Sequence, residues 1–144
     1  DIRQGVNAGS VLGYSASLPG MAGLHGNPRN GVVIAAADLG GDNRYVGAVM
    51  AHEVAHYIGL RHTTEITRSD DQREQIEELV GANDPIDDTS ECDDIFAKLT
   101  SDPTGCPDFA NLMFPFLPPP SDRTEIRLSE GQTAVMRASP LLNE

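Results

Sequence analysis

Aromatic residues are scarce in this chain, only 5% of its 144 positions, while glycine (14) and proline (10) are frequent. That balance excludes a large aromatic core and suggests a loop-rich fold that needs staples. Long apolar runs are also missing. Nothing approaches the roughly 20 residues of a membrane helix, so a soluble globular protein is expected. Positive charge is the third shortage: 10 Lys and Arg stand against 22 Asp and Glu, a formal net charge of -12. Such a surface repels phosphate backbones and anionic lipid heads, which excludes nucleic acid and membrane as partners. Repeats and low-complexity tracts are absent apart from "LPPP" at 117–120, and residues 1–144 are read as one domain with a single modest core.

Cysteine is limited to Cys92 and Cys106, too few and too far from histidine to form a zinc site of their own. Joined, they would close a loop of about 15 residues, worth about 3 kcal/mol in the chain-entropy model. The alternative is two buried free thiols. The polar, proline-bearing surroundings favour the bridge, and a bridge places the protein outside the cytoplasm: secreted, periplasmic or at a cell surface. No signal peptide is present, so an export segment is expected to have been removed.

The acidic excess is uneven. Asp84, Asp87, Asp88, Glu91, Asp93 and Asp94 crowd one short polar segment. A bound cation would relieve their repulsion, and the plain alternative is a solvated acidic loop.

Along the chain, "NGVVIAAADL" opens on an Asn30-Gly31 turn signal followed by the strand residues Val32, Val33 and Ile34. The stretch 15–28, broken by glycine and proline, suits an irregular edge-type strand. "AVMAHEVAHYIGL" carries Val49, Met50, Val54, Tyr57 and Ile58 at helical spacing, with Gly59 free to take positive φ and turn the chain. Ser69 opens a second predicted helix that ends at Gly81. Near the end, Ser129 with Gln132 three residues later forms a capping-box pattern before a last helix.

Three of the four histidines fall in "HEVAHYIGLRH", residues 52–62. Residues four apart on an α-helix share a face, so His52 and His56 present two imidazoles to one point. Glu53 stands beside that point without ligating. Gly59 lets the chain swing back and bring His62 in as a third ligand. Three neutral nitrogens hold a zinc ion and leave a fourth position open for water, as a catalytic site requires. Zinc lowers the pKa of that water to about neutral, and Glu53 takes its proton. The remaining histidine, His25, is read as a loop or core residue.

These residues resemble the extended motif HExxHxxGxxH of the metzincin zinc endopeptidases, with His52, Glu53, His56, Gly59 and His62 in the five defining places. "NLMFP" at 111–115 is similar to the metzincin Met-turn, which makes Met113 its methionine and a packing floor beneath the zinc ligands. "LGYSASLPG" followed by "NGVVIAA", and "DPIDDTSEC", resemble the pappalysin-like branch and its calcium-associated, cysteine-bearing loop. The likeness spans the chain from about Leu12 onward. It departs at Pro115, where several metzincins carry a tyrosine, so tyrosine help to an oxyanion is not expected. Only 51 residues precede His52, which implies an unusually small domain or the carboxy-terminal part of a processed or truncated one.

The resemblance implies an α/β metzincin-like catalytic domain. A twisted mixed sheet and the active-site helix would lie above an irregular lower subdomain with the Met-turn and C-terminal helix. It implies a zinc endopeptidase acting on extended polypeptides, with zinc on His52, His56 and His62, Glu53 as the base, and possible calcium on Asp88 and Thr89. A peptide substrate would pair with the edge formed by Pro19, Gly20, Met21, Ala22, Gly23 and Leu24, and "FPFLPPP" after Met113 suggests an apolar pocket. The rival expectation is a zinc-containing binding or inhibitory module that cleaves nothing.

Overall fold

The structure, a computed structural model, describes residues 12–22, 26–27, 30–35, 42–65, 83–117 and 125–142. The helix expected over 69–81, together with Gly23, Leu24 and His25, lies outside them. The elements in order are β1 (Gly13–Ser15), β2 (Val32–Ile34), α1 (Asn43–Ile58), α2 (Ile95–Ser101) and α3 (Glu130–Ala138), with single 3-10 turns at Pro103–Gly105 and Pro140–Leu142. Among the described residues no helix is long and apolar enough to cross a membrane.

β1 and β2 pair antiparallel, with Tyr14 opposite Val33. Ala16 N–H to Gly31 O (3.0 Å) and Ala35 N–H to Leu12 O (2.9 Å) continue the ladder. Bonded pairs alternate in such a ladder, so residues 12, 14 and 16 face β2 and the main chains of Gly13 and Ser15 face outward. Beyond Ser15 the edge-type strand expected over 15–28 does not continue among the described residues, where 16–22 run through bends and a turn.

Helix α1 begins earlier than its apolar pattern indicated, because Asp42 caps it: its carboxylate accepts from the Arg44 N–H (2.8 Å) and the Tyr45 N–H (3.4 Å). It ends at Gly59, whose φ of 126° only glycine adopts without strain, and the Gly59 N–H returns to Ala55 O and His56 O. The face that α1 buries is Val49, His52, Glu53 and Ala55. Met50 and Val54, two of the apolar residues at helical spacing, are 48% and 39% exposed. Helix α3 has the reciprocal cap at Ser129 and Gln132. The short helix α2 was not legible in sequence: it starts at Asp94 in the left-handed region with no side-chain cap.

Among the described residues three small clusters make the core. Ala55, Leu60, Leu112 and Met113 pack with Ile86, Leu128 and Met136. Val49 and Leu117 pack with Leu12, Ile34, Tyr45 and Val46. Cys92, Cys106, Ile95 and Phe114 form the third, with Leu99 and Phe109 against them. Cys92 and Cys106 are joined as a disulfide. It therefore anchors α2 to Phe114, the residue after Met113, and the Phe109 and Phe114 rings meet edge to face at 5.6 Å.

Candidate metal centre

Helix α1 supplies His52 and His56 one turn apart, and the reversal at Gly59 brings His62 to the same point. The three Nε2 atoms stand 3.1–3.2 Å from one another. Each ring is held from behind. His52 Nδ1–H donates to Leu112 O (2.7 Å), His56 Nδ1–H to Leu60 O (2.7 Å), and His62 Nδ1–H to Glu65 Oε1 (3.1 Å). A carbonyl only accepts, so the proton of the neutral ring sits on Nδ1 in His52 and His56 and the Nε2 lone pairs point inward.

Burial, reinforced by the neighbouring His62, pushes the His56 imidazole down to about 4. It is therefore neutral at neutral pH and free to donate its lone pair. Converging lone pairs repel unless a cation sits among them. The nitrogens of a tetrahedral zinc site, with bonds of about 2.0 Å, lie about 3.3 Å apart. The donor set and its spacing fit that metal, and the backing hydrogen bonds are those which orient metal-bound histidines.

Glu53, the residue after His52, is buried against β1. Ser15 N–H, on the outer edge of that strand, donates to its carboxylate. A Cβ at Gly13 would run into the same carboxylate, so glycine is what lets strand and base approach. Burial raises the Glu53 carboxyl above its ordinary value, with the neighbouring His62 imidazole and the Ser15 N–H pulling the other way. A carboxylate so placed is primed to accept a proton.

Of the six residues expected to hold substrate, four are described. Gly20 is buried against α1: its N–H donates to Tyr57 O (2.6 Å), and a Cβ there would strike the Tyr57 ring. The Asn30 side chain takes both main-chain groups of Met21, at 3.1 and 3.0 Å, and Tyr57 Oη donates to Asn30 Oδ1 (2.8 Å). The segment is thus bonded into the protein at Gly20 and Met21, while Pro19 and Ala22 flank it. Among the described residues, the outward-facing main chain that packs against Glu53 is that of Gly13 and Ser15.

Met113 is fully buried, in the cluster that holds Ala55 and Leu60. The main chain around it serves the site from two sides, Leu112 O holding His52 and Met113 O accepting from Thr63 N–H (3.1 Å). Asn111 shapes the loop, its Oδ1 accepting from Met113 N–H (2.8 Å) and its amide donating to Gln132 (2.9 Å). Gln132, also fully buried, reaches Asp84 with its own amide.

In the acidic segment the side chains of Asp84, Asp88 and Thr89 are engaged with the protein. Thr89 Oγ1 donates to Asp84 Oδ1, whose carboxyl burial pushes up. The Ser129 hydroxyl and the Gly131 N–H hold the Asp88 carboxyl below its usual range, the latter at 2.8 Å. Asp88 and Thr89 line a pocket of about 400 Å³ that also borders Asp108, Asn111 and Arg127.

Among the described residues, the groups of three whose ligating atoms lie close together are the histidine triad and Cys92, Cys106 and Asp108, and in the second the sulfurs are taken by the disulfide. Comparison of the chain with family models, with curated proteins and with solved structures finds no significant match.

Proposed function

We propose that the protein is a zinc-dependent endopeptidase that hydrolyses extended polypeptides, with His52, His56 and His62 as the zinc ligands and Glu53 as the general base. The observation that carries the proposal is the convergence of three Nε2 lone pairs, each ring locked from behind, beside a buried carboxylate on the same helix. Zinc bound there supplies Lewis acidity toward a carbonyl and toward water. Glu53 accepts the proton of the attacking water and hands it to the leaving nitrogen, while Ser15 N–H keeps the carboxylate aimed. An inert binding module has no use for that proton shuttle.

The outer side of β1 at Gly13, together with residues 19–24, is the proposed place for the substrate main chain. It lies beside Glu53, and a peptide added there extends the sheet by one strand. The disulfide is compatible with a secreted protein, and we propose that location.

Activity toward a denatured protein tests this reading. Cleavage is expected from the chain as purified, lost on treatment with a zinc chelator and restored by stoichiometric zinc. Cleavage that survives full removal of zinc would refute it.

Calcium at Asp88 and Thr89 is a separate proposal, supported by their place with Asp108, Asn111 and Glu130 on the wall of one pocket, which Arg127 also lines. Calcium at a hundredfold excess over its dissociation constant is expected to stabilise the fold by about 2.7 kcal/mol. A melting temperature that is identical in calcium and in EGTA, with zinc held constant, would remove it.

A further inference from the structure

The third ligand sits on a segment with no regular structure. Residues 60–65 belong to neither helix nor sheet, so the position of His62 depends on tertiary ties. Two are main-chain bonds, Asp84 N–H to His62 O (2.9 Å) and Thr63 N–H to Met113 O (3.1 Å). A third is Glu65 N–H to Asn83 Oδ1 (3.0 Å), and two more converge on one side chain far along the chain. Asp108 is only 4% exposed, and its Oδ2 accepts from both Thr63 Oγ1 (2.5 Å) and Thr64 Oγ1 (2.8 Å). Its Oδ1 is buried with no hydrogen-bond partner. A buried carboxylate is retained only where it is firmly held, and here both holding groups are the residues that directly follow His62.

The ties close into a ring. Thr64 Oγ1 accepts from Cys92 N–H (2.8 Å), Cys92 is bridged to Cys106, and Asp108 follows Cys106 by two residues. Thr63 and Thr64 are thereby gripped between the disulfide and the Met113 loop, and neither can shift without moving His62. We infer that Asp108 is a positioning residue for the third metal ligand, acting on His62 through Thr63 and Thr64. This rests on the metal-site reading above and adds a residue to it that neither the motif nor the histidine geometry contains.

The test measures the zinc affinity of the full chain by chelator competition, together with the visible absorption of its cobalt(II) form, which reports the number and geometry of ligands. Asp108→Ala is expected to weaken zinc binding by about tenfold or more, within the 10–100-fold range of outer partners, and to alter the cobalt spectrum. The Thr63→Val, Thr64→Val double variant should do the same. Asp108→Asn keeps a carbonyl oxygen for both hydroxyls and should restore wild-type affinity and spectrum, a rescue that loss of general packing would not give. Should Asp108→Ala fail to fold, the valine pair decides. Wild-type affinity and spectrum in the folded alanine or valine variants would overturn the inference alone. A wild-type chain that binds no zinc would overturn the metal reading and this inference with it.

Discussion

Glu53→Gln is expected to lower kcat/KM toward a peptide substrate by at least about 10²-fold, the lower bound for removing a general base, while the protein keeps one zinc per chain. The substitution is nearly isosteric. The amide oxygen still accepts from Ser15 N–H, and the close approach of Gly13 is undisturbed because the side chain has the same size. The histidines and their backing partners are untouched. What disappears is a group that can accept a proton from water and return it to the leaving nitrogen. Steady-state kinetics combined with elemental analysis separates the two properties. A variant with near-normal turnover would sink the assignment of Glu53. A variant that lost its zinc as well would show that the carboxylate supports the metal site rather than the chemistry.

Replacing any of the three histidines by alanine is the second large effect. Each removes one of the three inward nitrogens, so zinc affinity should fall by more than the roughly 100-fold reached by losing an outer partner. The thermal signature follows from linkage. Zinc at a thousandfold excess over its dissociation constant stabilises the native state by about 4.1 kcal/mol, and the alanine variants should lose that increment.

His52→Ala should also destabilise the zinc-free protein. It leaves Leu112 O without the His52 donor, at a cost of about 1–3 kcal/mol for an unsatisfied buried acceptor. Melting curves with and without zinc, beside a chelator titration, check both parts. Full zinc retention by His62→Ala would show that the third ligand had been misassigned.

What the sequence determined by itself is what depends on neighbours a few residues away. The i, i+4 placement of His52 and His56 on one helix face, the turn at Gly59, the strand at Val32–Ile34 and the cap of α3 by Ser129 and Gln132 all follow from local backbone geometry. Each is present in the structure. Spacing indicated the helix but not which face it buries: Met50 and Val54 are exposed, and the buried stripe of α1 includes His52, Glu53 and Ala55. A face that carries imidazole and carboxylate side chains does not read as apolar.

Only the tertiary structure decided which main-chain groups back the rings, which strand packs against Glu53, and which side chain the two threonines after His62 meet. His52 meets Leu112 across 60 positions, and Thr63 meets Asp108 across 45. No repeat of 2 or 3.6 residues encodes such pairings. They are settled when the disulfide, Phe114 and the fully buried Met113 close the core around one arrangement of the loops.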